Sequence, residues 1–179
     1  MNIEPALRDA LLAATPNLRA FAISLSNDRS RADDLVQDTL VRAWANIDRF
    51  ERGTNLNAWL FTILRNLFHS EYRKRKREVE DADGSYAARL ATAPEQNARL
   101  DFEDLRLALA KLSSDQREAV LLVGAEGFSY EEAAQICGTA VGTIKSRVNR
   151  ARTRLAELMA IDVHELGPDR LTRAALSAA

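Results

Sequence analysis

Hydrophobic residues recur along this 179-residue chain at spacings of three and four, and no convincing run of alternating strand residues appears. That period is the signature of amphipathic helices. Leu7 and Leu11 predict a short opening helix. Thr15 followed by Pro16 reads as a cap and first turn, after which Leu18, Phe21, Ala22 and Leu25 keep helical phase. Ser30 is the expected cap of a third helix, with Ala32, Leu35, Val36, Ala43, Trp44 and Ile47 as its buried face. A polar segment, DRFERGTN, turns the chain at Gly53. The fourth helix carries Leu56, Trp59, Leu60, Ile63, Leu64 and Leu67 and continues into the basic run Arg73 to Arg77, with Trp59 read as core from its phase.

The pattern then lapses. Residues 79–98 are acidic and rich in alanine, with Gly84 and Pro94, and read as a linker holding at most one helical turn around Tyr86 to Leu90. Periodicity returns with Phe102, Leu105, Ala108, Leu109 and Leu112. Ser113 or Ser114 caps the next helix, through Ala119, Leu121, Leu122 and Val123. The expected organisation is all-α: a helical domain over residues 1–78, a linker over 79–98, a second helical domain over 99–160 and a tail over 161–179. Each domain is small but large enough for a helical bundle with its own core.

The most informative stretch is SYEEAAQICGTAVGTIKSRVNRARTRL, from Ser129 to Leu155. Ser129 and Glu132 have the spacing of a capping box, and Gly138 can end the helix in a left-handed turn. Thr139 can cap the helix that follows. On that helix Ile144, Val148, Ala151, Leu155 and Leu158 form one apolar stripe. At about 100° per residue, Gly142, Ser146, Asn149, Arg150 and Thr153 fall on the opposite face, flanked by Lys145, Arg147, Arg152 and Arg154. Short polar side chains between cations suit base edges and phosphates, so the segment reads as a helix-turn-helix that meets DNA. A solvated basic face is the plainer alternative.

Composition narrows the possibilities. Hydrophobic residues make up 46% of the chain and charged residues 28%, with only 7 Gly and 4 Pro, which favours helical domains with apolar cores. The net charge is −1, so no overall positive field drives DNA binding, and local basic faces imply weak binding alone and a need for a partner. Charge is segregated: the basic run Arg73 to Arg77 is followed by four acids between Glu78 and Asp83. Cys137 is the one cysteine and His69 and His164 the two histidines, which exclude an internal disulfide and a Cys/His zinc cage. No metal, cofactor or convergent set of acid, base and nucleophile is implied. The amino terminus lacks the pattern of a signal peptide and no stretch approaches a membrane span, so a cytoplasmic protein is expected.

Two segments carry a family resemblance. LSSDQREAVLLVGAEGFSYEEAAQICGTAVGTIKSRVNRARTRL resembles region 4 of the extracytoplasmic-function (ECF) sigma factors, and DDLVQDTLVRAWANIDRF with LNAWLFTILRNLFHSEYRKRKR resembles region 2 of the same family. The resemblance implies an initiation factor with no enzymatic activity, which binds core RNA polymerase and promoter DNA. It implies −35 contacts by Thr143, Lys145, Ser146, Asn149 and Arg150, with Arg150 and Asn149 reaching base edges while Lys145 and Arg147 hold phosphates. It assigns Asp34, Gln37 and Asp38 to polymerase docking, where periodicity alone favours a solvated acidic face. Asn66, with a base pocket formed in part by residues 50–55, is assigned to the −10 element, and Arg73, Lys74 and Arg75 to phosphates beside the opened strand. For the basic run, a solvated helix end complementing the helix dipole remains the alternative at any single position. The closing ELGPDRLTRAAL and the form GTAVGTIKSRVNRAR resemble the EcfG type, which implies a general stress response, a NepR-like anti-sigma factor and a PhyR-like decoy.

Two other readings stay in view. A helix-turn-helix regulator would bind operator DNA as a dimer, without polymerase. A sigma mimic would sequester an anti-sigma factor, a role for which the intact basic face has no use.

Overall fold

The structure, a computed structural model, describes residues 5–81 and 98–160. These form eight α-helices and no strand: α1 Pro5–Ala13, α2 Thr15–Ser26, α3 Arg29–Ala45, α4 Leu56–Asp81, α5 Ala98–Ala110, α6 Ser114–Gly124, α7 Tyr130–Cys137 and α8 Val141–Met159, with a 3-10 turn at Ile47–Arg49. They divide into two compact units, one within Met1–Pro94 and one within Glu95–Ala179. The turn expected near Tyr86, most of the expected linker and the tail lie outside the described residues. Helix α4 runs to Asp81, three residues into the stretch read as linker.

In the first unit α3 packs against both α2 and α4, and α1 against α2. Leu18, Ala22, Ala32, Leu35, Leu60 and Leu64 are sealed from solvent, and the rings of Phe21 and Phe61 meet at 5.0 Å. The helix starts differ from expectation twice. Ala14 is itself helical, so α1 runs almost directly into α2, and the Thr15 hydroxyl donates back to the Leu11 carbonyl at 3.4 Å instead of capping α2. At the next junction Asn27 takes a left-handed conformation that ends α2 and leaves Asp28 extended. The Asp28 carboxylate then accepts from the Arg31 N–H at 3.1 Å, so Asp28, not Ser30, caps α3. A strong cap two residues upstream takes the role before Ser30 can.

In the second unit α8 packs on α5, α6 and α7. Leu105, Ala108, Leu112, Val120, Ala151 and Leu155 form its described core cluster, with Leu109, Leu158 and Met159 packed beside it. Ser113 caps α6, accepting from the Gln116 N–H at 3.3 Å. The turn from α5 to α6 is held by a residue that periodicity does not flag. Arg117 donates from Nε to the Leu109 carbonyl at 2.8 Å, and from Nη2 to the carbonyls of Ala110 and Leu112 at 3.0 and 3.1 Å. One guanidinium thus takes up orphan carbonyls at the end of α5. Burial lowers the pKa of Arg117 against the opposing pull of the Glu118 charge, yet an arginine so far above neutrality stays charged.

Candidate nucleic-acid interface

The helix-turn-helix is built from local signals. The Glu132 N–H donates to Ser129 Oγ at 3.0 Å and the Ser129 N–H to the Glu132 carboxylate at 2.9 Å, completing the capping box that starts α7. Gly138 ends that helix at φ +61°, and the Thr139 N–H returns to the Ala134 carbonyl at 3.0 Å. Thr139 therefore closes α7. The N-cap of α8 is Ala140, which has no side-chain cap, because the closing turn has already committed Thr139. Cys137 is buried as a small packed residue.

Helix α8 buries Ile144, Val148, Ala151 and Leu155 against the unit. This fixes its rotation and leaves Gly142, Ser146, Asn149, Arg150 and Thr153 all exposed on the outer face. Lys145 is exposed at its edge with Nζ 5.8 Å above the Tyr130 ring, an attraction between cation and ring face that anchors it beside the start of α7. Thr143 is half-buried, and its carbonyl accepts from the Ser146 hydroxyl at 2.9 Å.

The flanking cations do not behave alike. Arg147, expected on phosphate, donates from Nη2 to Asp115 in the first turn of α6 at 2.5 Å. It stands beside the buried Val148, where a long side chain reaches a neighbouring helix more readily than open solvent. Arg152 is half-buried, and Arg154 pairs with Glu157 along the helix. The open cations of this face are Lys145 and Arg150.

In the first unit Asp34, Gln37 and Asp38 are all exposed on α3. Trp44 was expected in the core but is 45% exposed, and Val41 is 60% exposed. Trp44 follows the buried Ala43 and so turns about 100° away from the packed face. Asp34, Gln37, Asp38, Val41 and Trp44 thereby share one outer stripe, acidic and polar at its start and apolar at its end.

Helix α4 presents a second stripe. Trp59 is half-buried rather than core, and its ring meets that of Phe50, from the preceding loop, at 5.3 Å and 42°. Asn66, exposed, lies two turns further along the same side, and Arg73 follows two turns after that. Arg77, the last residue of the basic run, is also exposed and extends this line. Lys74 and Arg75 point progressively round the helix and line a cleft of about 430 Å³ with Asp28, Ser30, Arg31, Asp34 and Glu71. The arrangement offers an aromatic pair, an amide and cations in succession, which suits an unstacked strand and its phosphates. No group of three or more potential metal ligands occurs among the described residues.

Comparison with known proteins gives a consistent result. The family model Sigma-70 region 2 matches residues 12–78, and Sigma-70, region 4 matches residues 102–155. The ECF RNA polymerase sigma factor EcfG of Rhodopseudomonas palustris is 65% identical over 98% of both chains. Among solved structures, the sigma factor RpoE in complex with the anti-sigma factor NepR from Bartonella quintana is 58% identical, with a TM-score of 0.82 over 89% of this chain and 99% of that one. The PhyRSL-NepR complex from Sphingomonas sp. Fr1 shares the fold at 23% identity, with a TM-score of 0.62 over 84% and 87% of the two chains.

Proposed function

The chain belongs to the ECF group of sigma-70-type RNA polymerase sigma factors, transcription initiation factors and not enzymes, and from that premise we propose how its surfaces divide the work. The outer stripe of α3, with Asp34, Gln37 and Asp38, docks on core RNA polymerase, and Val41 and Trp44 extend that contact with apolar area. Helix α8 enters the major groove of the −35 element. There Arg150 and Asn149 read base edges, Thr143 and Ser146 add short polar contacts, and Lys145 holds a phosphate. Arg147 works chiefly through Asp115, setting the rotation of α8 in the unit.

At the −10 element the stripe of α4 captures an unstacked base near Asn66, beside the Phe50–Trp59 pair and the loop over residues 50–55. Arg73, Lys74 and Arg75 hold the adjoining phosphates. Unstacking a base costs a few kcal/mol, which stacking and hydrogen bonding in such a pocket offset. The domains that do this work are residues 1–78 and 99–160, joined through 79–98, and the setting is the cytoplasm. Among the described residues no helix is long and apolar enough to cross a membrane.

The solved relative bound to NepR supports control by a NepR-like anti-sigma factor, and the fold shared with the PhyR complex supports a PhyR-like decoy competing for that inhibitor. The EcfG relative supports a role in a general stress response. One observation carries the reading: the packed side of α8 leaves the polar and cationic residues of its other side together on one open face. The test is selection of transcribed promoters from a random duplex pool by core polymerase with and without the chain. Enrichment of a two-part promoter only with the chain, abolished by a NepR-like protein, is expected. Equal enrichment without the chain overturns the assignment.

A further inference from the structure

Two of the cations that flank the exposed face of α8 are tied to acids, Arg147 to Asp115 and Arg154 to Glu157. Lys145 is held differently. Its Nζ lies 5.8 Å above the ring of Tyr130, the first residue of α7, so the contact crosses the turn of the helix-turn-helix. Lys145 is exposed and Tyr130 half-buried. The backbone under the ring is fixed from both sides: Ser129 before it closes the capping box with Glu132, and Ala133 after it is fully buried. A carboxylate would cancel the charge that Lys145 offers to DNA, whereas a ring face attracts an ammonium through its quadrupole and carries no net charge. The ring also covers one side of the ammonium only, which leaves N–H donors for a phosphate oxygen. Such a support matters for lysine, whose ammonium rides on a flexible four-carbon stem that loses its freedom when held at one phosphate.

We propose that Tyr130 is a positioning residue for −35 recognition: its ring face holds the Lys145 ammonium, with its charge intact, ready for the phosphate backbone. Tyr130 acts through Lys145, and the inference rests on the assignment of Lys145 to a phosphate made above. The ring face carries the effect, not the phenolic hydroxyl. A phosphate contact holds no sequence information, so the support adds affinity equally at every −35 sequence. A residue that merely shaped the unit would act differently, since its loss would disturb the rotation of α8 and with it the reading of bases by Arg150 and Asn149.

The experiment measures binding of holoenzyme, core polymerase with the full chain, to a promoter selected by the wild-type holoenzyme and to its single-base −35 variants. Tyr130→Leu removes the ring face and keeps apolar bulk. It should weaken binding about two- to fivefold, equally on every −35 variant, and should cost nothing further in a Lys145→Ala background. Tyr130→Phe keeps the face and should bind as wild type. A neutral Y130L, a loss that adds to that of K145A, a loss that changes the −35 preference, or a Y130F that loses as much as Y130L each overturns the proposal. If Y130L does not fold, Tyr130→pentafluorophenylalanine carries the test. It keeps the shape of the ring and strips the negative charge from its face, so it should bind about two- to fivefold more weakly than Y130F, and equal binding overturns the proposal. K145A alone separates the two layers. If K145A binds as tightly as wild type, the phosphate assignment itself fails. If K145A is weak while the Tyr130 variants are neutral or additive with it, only the inference about Tyr130 fails.

Discussion

Arg117→Met should destabilise the second unit while leaving the exposed face of α8 in place. Methionine keeps most of the aliphatic stem and removes the donors. Three contacts are lost, to the carbonyls of Leu109, Ala110 and Leu112. The Leu109 carbonyl also accepts from the Leu112 N–H at 3.1 Å, so the penalty falls mainly on Ala110 and Leu112. A hydrogen bond from a charged donor is worth about 1.5–3 kcal/mol, toward the lower end here because the site is only partly buried and water can reach a loosened turn. Two such bonds give about 3 kcal/mol. For a unit of this size that corresponds to a fall in midpoint of roughly 12–24 °C. Hydrogen exchange of the full chain, read on peptides from α5 and α6 and compared with peptides from α2 and α3, assigns the loss to the second unit. Faster exchange confined to the second unit is expected. A change below about 0.5 kcal/mol would refute the reasoning, because it would mean the three carbonyls are served equally well by water.

Four further outcomes follow from the same geometry. Arg150→Ala should reduce transcription by an amount that depends on the −35 sequence, about 1–3 kcal/mol at one base position, whereas Lys145→Ala should weaken all promoters alike and lower the salt dependence; equal losses on every single-base variant contradict this division. Reversing charge at Asp34 and Asp38, both exposed, should weaken holoenzyme assembly without changing helicity, and unimpaired assembly by the double variant would remove the docking role from this face. Gly138→Ala should cost about 1 kcal/mol in a melt of the full chain, since an added Cβ meets no atom within 4 Å and the strain lies in the backbone at φ +61°. The hydrogen bond from Arg19 holds the Asp33 carboxyl below the usual carboxylate range, and Arg106 does the same for Glu103. Both contributions to stability are therefore present at neutral pH and are lost as pH falls through the lowered pKa values. Asp33→Asn with Glu103→Gln should flatten the acid limb of a pH–stability curve, and an unchanged limb would contradict that.

What sequence conveyed about this molecule depended on how local the cause was. Ser129, Glu132 and Gly138 act on backbone groups within five residues of themselves, so the capping box, the turn and the rotation of α8 could all be read in advance. Ser30 and Thr139 misled for the same local reason: each is a good cap, but a neighbour or an earlier turn had already taken the role. Trp44 and Trp59 show the limit of periodicity, which gives the residues that share a face but not how far the packed arc extends. Each sits at the edge of its arc, so Trp44 is exposed and Trp59 only half-buried. Arg31, Arg117 and Arg147 were out of reach altogether. Their partners lie on other segments, Glu71, the end of α5 and Asp115, and only the packing of one helix on another brings them together.

The central claim is that a chain with no catalytic group of its own confers promoter opening on core polymerase. The most direct measurement is permanganate reactivity of thymines in a selected promoter, with core polymerase alone, the chain alone, and both. Reactive thymines at the −10 element only when both are present, lost when Asn66 is changed to Ala, is the predicted result. Protection by the chain alone of two half-sites one helical turn apart, with no opening in any mixture, would contradict it and identify an operator-binding dimer instead.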